Sequence, residues 1–177
     1  AAKMDFRVKI PPAAEGDESA FPHAFGVGGA WHHLLDGRDD VSRRAEICAV
    51  FAQRPVEALT RAVRQAHWLA KTAGLLIGPR TGGDGKCPLS AAFSLGLVDE
   101  THEHRLCDCP CSQQVWRHVL QAWLVLFPNH PWLAWPSNTP MPRAIRRAVV
   151  LGLTPVSLGV VQPAWALLTA ITIHEIM

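Results

Sequence analysis

The spacing His104-x4-Cys109, with Cys87 upstream and Pro110 directly after, constrains this chain most. The stretch from Cys87 to Trp123 holds Cys87, Cys107, Cys109 and Cys111, four of the five cysteines. Metal ions such as zinc take four ligands from thiolate and imidazole, and closely spaced pairs each fix half of the tetrahedron. His104 and Cys109 form one such pair. Thr101 caps a short helix that places His104 in its first turns and Cys109 just past its end, while Asp99, Glu100 and Glu103 suit the positive helix start. Glu100 is a candidate to orient the imidazole.

The other pair is incomplete. Cys87-Pro88-Leu89 is followed by Ser90 where a C-x-x-C knuckle needs a second cysteine. Candidates for the fourth ligand are Cys111, Cys107, His102 or a water molecule, and the expected cofactor is one zinc ion. An odd cysteine count with an alternating C-D-C-P-C run makes a poor disulfide framework. The N-terminal AAKMDFRVKI lacks the apolar core of a signal peptide, so an intracellular setting, nuclear or cytoplasmic, is expected, where clustered thiols favour metal. The chain opens without methionine and stops within an apolar run, as a piece of a longer protein would.

Around this centre the expected architecture is mostly α: a small irregular helical domain with a zinc-knuckle-like loop. Residues 1–40, rich in proline and glycine, form an irregular, partly disordered lead-in, and residues 41–177 form the helical region, with the zinc-binding-like module at about 87–127. Ser42 is the expected cap of the first helix, with Cys48 on its apolar side. A second helix is expected over 55–73, with Val56, Leu59, Val63, Ala66 and Leu69 or Ala70 inward and Arg61, Arg64 and Lys71 largely outward. A third, capped by Ser112, turns Val115, Trp116, Val119, Leu120, Trp123 and Phe127 to the core. Helices over 143–153 and from Pro163 follow, the last with Trp165, Leu168, Ile171 and Ile176 as its face. No residue between Arg147 and His174 is charged, yet Gly152, Pro155, Gly159, Gln162 and Pro163 break the run, so two core helices are expected rather than a membrane span.

A net charge of +2 does not by itself imply a nucleic-acid partner. Local clustering supplies candidates for phosphate contact in Lys86, Arg105, Arg117, Arg143, Arg146 and Arg147. Catalytic patterns are missing: His102-Glu103-His104 is not H-E-x-x-H, and Pro110-Cys111 lacks the second cysteine of the zinc deaminases. No small-molecule substrate is expected.

Cys87-Pro88-Leu89, then Glu100-Thr101-x-Glu103-His104-x-Leu106-x-x-Cys109-Pro110, then Val115-Trp116, resembles the zinc-binding domain that follows the polymerase in reverse transcriptases of non-LTR retrotransposons. That family runs C-P-x-C, E-T-x-x-H, four residues, C-P, and a helix bearing V-W. Trp165-Ala166-Leu167-Leu168 is similar to a downstream W-x-L-L helix, and His67 to Lys71 to the helix before the knuckle. The resemblance covers roughly 55–177 and departs from the family at Ser90 and in the long gap from Cys87 to Glu100. It implies Cys87, His104 and Cys109 as ligands in a non-catalytic module of a reverse-transcriptase polyprotein, contacting RNA or DNA through phosphates and the remainder of that polyprotein. The competing expectation is a structural or protein-interaction domain with a decayed metal site, marked by an exposed patch of Trp132, Trp135 and Trp165.

Overall fold

The computed structural model describes Phe25 and residues 29–52, 59–73, 85–89 and 98–177. Ser90, the glycines at 26–28, the 75–77 segment and most of the Pro79–Lys86 loop lie outside them. The fold is mostly helical, and among the described residues the sole extended pairing is one antiparallel bridge between Lys86 and Asp99.

A 3-10 turn at His32–Leu34 leads into α1, Asp40–Ala52. Asp39, not Ser42, caps that helix, its carboxylate accepting from the Ser42 amide at 2.8 Å and from the Ser42 hydroxyl at 3.0 Å. Those bonds favour the ionised form and lower the Asp39 pKa. Ile47 and Val50 face inward, whereas Cys48 is exposed and is no core residue. Helix α2 is shorter than its apolar period suggests, Arg61–Lys71, because Thr60 is extended and its hydroxyl accepts from the Val63 amide. A capping hydroxyl at that point starts a helix rather than continuing one.

Helix α3, Pro110–Leu126, begins with a proline at a position where no amide is needed. Ser112 is not its cap; it is buried and donates to the Arg105 carbonyl. Trp116, Leu120 and Trp123 form the buried face, while Val115 is turned outward. Helix α4, Arg143–Arg146, widens into a π-helical stretch, Arg147–Leu151, which ends at Gly152 with φ +71° and its amide on the Arg147 carbonyl. Helix α5, Gln162–Ile176, packs against α2 and α3. Its Trp165, Ile173 and Ile176 are buried and Ile171 is exposed, so the expected face is shifted.

Three tryptophans, Trp31, Trp116 and Trp165, are fully buried, and each donates its indole N–H to a carbonyl in the last turn of another segment. Trp31 reaches Ala70 at 2.9 Å, Trp116 reaches Leu106 at 2.9 Å and Trp165 reaches Ala148 at 3.2 Å. Carbonyls at a helix end lack an intrahelical donor, so each ring both fills the core and bonds a carbonyl there, that of Ala70 also accepting from the Ala73 amide at 3.3 Å. Trp31 and Leu34 belong to this core, so the packed body reaches back past the expected boundary at residue 40. Trp165 stands edge-on to Trp123 and Trp132 at 5.0 and 6.4 Å, and Arg117 lies 3.8 Å over the Trp135 ring. The expected exposed tryptophan patch therefore does not form: Trp165 is sealed inside and Trp132 packs on it.

The uncharged run after Arg147 divides at Gly152 and the turn before α5. Among the described residues no helix is long and apolar enough to cross a membrane.

Candidate metal centre

The site is built on two pieces of backbone. The first is the Lys86–Asp99 bridge, where the Cys87 amide donates to the Val98 carbonyl and the Glu100 amide to the Gly85 carbonyl, both at 2.8 Å. This pairing holds Cys87 beside the start of the second piece. There the Thr101 hydroxyl accepts from the His104 amide at 3.0 Å, the expected cap, and the chain turns through a π-helical stretch, His104–Asp108.

The widened turn accounts for the spacing of the ligands. In an α-helix of 100° per residue, positions five apart point about 140° away from each other. Here the Cys109 amide donates to the His104 carbonyl at 2.6 Å, an i→i+5 bond that brings the fifth residue back towards the first. Cys109 is extended at the exit, and Pro110 starts α3 immediately. The ligand atoms of Cys87, His104 and Cys109 consequently lie within 4.8 Å of one another, with the two sulfurs 3.9 Å apart. All three residues are buried. This Cys2His group could hold a metal ion.

The other proposed ligands do not join it. Among the described residues the cluster contains neither Cys107, Cys111 nor His102. Cys107 points into the apolar core, where burial pushes its thiol far up and keeps it protonated. Cys111 sits on the first turn of α3, beyond the proline that redirects the chain. Among the described residues no fourth ligand joins the group, and Ser90, where a C-x-x-C knuckle carries its second cysteine, lies outside them. Burial also raises the Cys109 thiol, and the adjacent Cys87 raises it further. Two sulfurs this close favour a cation that takes both as thiolates.

Acidic residues flanking the turn pair with arginines. Glu100 accepts from Arg105 at 3.0 Å. Glu103 and Asp108, at either end of the π stretch, both bind Arg146 of α4, with Asp108 at 2.7 Å and Glu103 also 3.1 Å from His33. Burial disfavours the Arg146 charge, but Asp108 and Glu103 more than offset it and hold its pKa above the ordinary value. One guanidinium thereby braces the His104–Cys109 turn against the next helix. Nothing in the sequence pairs residues 38 to 43 positions apart, so this brace was not foreseeable.

Every candidate phosphate contact has an intramolecular partner. Lys86 pairs with Asp99, and Arg105 with Glu100 and the Met177 carbonyl. Arg117 donates to the Pro136 and Thr139 carbonyls. Arg143 holds Asp36 and the carbonyls of His33 and Leu35, and Arg147 holds Asp36, Glu46 and the Leu34 carbonyl. The arginines near the start of α4, which oppose its dipole, are clamps on the 33–36 segment.

No family model, curated protein or solved structure matches the chain.

Proposed function

We propose that this chain is a zinc-stapled, non-catalytic, nucleic-acid-handling module of a reverse-transcriptase polyprotein of the non-LTR retrotransposon kind, working inside the cell. The observation that carries the reading is the convergence of Cys87, His104 and Cys109 on one point, within the E-T-x-E-H-x4-C-P turn that leads into Trp116. Zinc suits the donor set. A zinc–sulfur bond of about 2.3 Å and a tetrahedral angle place two thiolates about 3.8 Å apart, close to the observed 3.9 Å. Bound there, the ion would act as a structural crosslink between the Cys87 bridge and the His104–Cys109 turn, and the protein residues would do no bond-breaking chemistry.

A second reading, a structural or protein-interaction domain, draws support from the internal pairing of Lys86 and the five arginines singled out above. Metal analysis and native mass spectrometry of the purified chain test the first reading. The expected result is one zinc per chain, lost in Cys109→Ser and bound more tightly in Ser90→Cys. Zinc in Ser90→Cys but none in wild type would mean that the site has decayed. Electrophoretic binding of RNA and DNA oligonucleotides then separates the readings, because only the first expects salt-dependent binding.

A further inference from the structure

Cys87 and Cys109 present their sulfurs to each other at 3.9 Å. The two come from separate pieces of backbone: Cys87 follows the Lys86–Asp99 bridge, and Cys109 leaves the π-helical turn in an extended conformation. A disulfide bond is about 2.05 Å long, so the sulfurs must approach by about 1.9 Å, a movement within the sweep of a cysteine χ1 rotation. Such a pair serves two chemistries. As thiolates the sulfurs take a soft metal ion; as a disulfide they take none, because neither then carries the charge that ligation needs.

The other cysteines are placed differently. Cys107 belongs to the apolar core, Cys111 rides on the first turn of α3 outside the ligand group, and Cys48 is exposed on α1. Cys87 and Cys109 border the core without joining it. Among the described residues, the backbone around Cys87 meets the approach to the turn through the bonds from Cys87 to Val98 and from Glu100 to Gly85. A bridge this short opens at less cost than a packed helix, and its opening admits a small oxidant to sulfurs that are sealed when it is closed.

We propose that Cys87 and Cys109 are a reversible disulfide site, oxidised by hydrogen peroxide and reduced by thiols. One sulfur attacks the O–O bond and becomes a sulfenic acid as the other oxygen leaves as water. The second sulfur attacks the sulfenic sulfur and displaces the hydroxyl as a second water, so two thiols and one peroxide give one disulfide and two waters. Two glutathione thiols reverse the change, ending as glutathione disulfide while the Cys87 and Cys109 thiols return. The disulfide joins the same pieces of backbone that the ion would join, so the turn stays tethered while the metal is excluded and His104 is left without its two sulfur partners. That exclusion rests on the zinc reading above, whereas the bond itself rests on the sulfur geometry.

The test treats the full chain with hydrogen peroxide, both as purified and after dialysis against a chelator, and maps disulfides by mass spectrometry of non-reduced tryptic digests. Cleavage after Lys86, Arg105 and Arg117 puts Cys87 in peptide 87–105 and Cys109 in peptide 106–117. The expected product is these two peptides linked with the loss of two hydrogens, the bond placed on Cys109 by fragmentation and undone by dithiothreitol. A chain that holds zinc should release one ion per disulfide to a chromogenic chelator and rebind it after reduction. Cys109→Ser should lose the link, and the double variant Cys48→Ser/Cys111→Ser, which alters cysteines that are not buried, should keep it. If Cys109→Ser loses its helical circular dichroism, the double variant decides instead. Links at Cys107 or Cys111, or oxidation to sulfinic acid without a link, would overturn the disulfide site and leave the zinc reading standing. A Cys87–Cys109 link in a chain that never holds zinc would support the disulfide site and remove the zinc reading.

Discussion

His67 and Lys71 share the inner side of α2 four residues apart, and their environment makes two cations unwelcome. Burial first, and the charge of Lys71 second, lower the His67 pKa to about 3. Burial lowers Lys71 to about 8, with its ammonium donating to the Val50 carbonyl at 3.3 Å. Both shifts act in the same direction. Between pH 6.5 and 3 the unfolded chain binds a proton at His67 that the folded chain refuses, so stability falls as the pH falls through that window. For Lys71 the corresponding window runs from about 8 to 10.5, and stability rises with pH across it. His67→Leu should therefore flatten urea midpoints between pH 6.5 and 4, where wild type loses on the order of 2–3 kcal/mol at this residue. Metal loss at low pH affects both proteins alike, so the difference in slope isolates His67. Equal slopes would refute the assignment. Alternation of apolar and polar residues did not reveal this: Lys71 reads as outward by period, but the short α2 ends with its last turn pressed on α5.

At the level of the element, the His104–Cys109 turn depends on its brace as well as on its candidate ligands. Arg146→Ala would leave Glu103 and Asp108 facing each other without a cation and free α4 from the turn. Exposed pairs contribute about 0–1 kcal/mol and buried ones cost 3–5 when one partner goes. The Arg146 side chain is only 15% exposed but its partners are more open. A loss of about 2 kcal/mol in chemical denaturation is expected, with Arg146→Lys recovering only part because one ammonium cannot fork to both carboxylates. A wild-type midpoint in Arg146→Ala would show the pairs to be incidental. The turn itself was largely legible from sequence, since Thr101 as cap, the His104–Cys109 spacing and Pro110 are all local signals. So was α3, whose tryptophans recur at helical period. Less legible were the ends: Thr60 and Asp39 took caps that an apolar period does not register, and Ser112 was drawn inward by the Arg105 carbonyl. The arginine partners were invisible because they sit as far as 113 residues away.

Considered as a whole molecule, the apolar core and the metal site are adjacent but separable. The core runs through Trp31, Trp116, Trp165 and Ile173, and Cys87 and Cys109 border it without forming part of it. Removal of the ion with a chelator should speed hydrogen exchange at residues 85–89 and 98–109 while amides of α5 between Trp165 and Ile173 change little. Uniform acceleration across α5 would mean that the crosslink holds the entire body together. The clamps on the 33–36 segment impose a further condition, one of time rather than strength. Asp36 meets Arg143 across 107 residues and Leu34 meets Arg147 across 113. At ribosomal rates of 5–20 residues per second, the early segment waits about 5–20 seconds for its partners to be made. During that interval Trp31 and Leu34 have no core to enter, and the nascent chain carries them exposed. Completion of this fold therefore waits until the segment around Arg143 and Arg147 has been made and returns to collect the first.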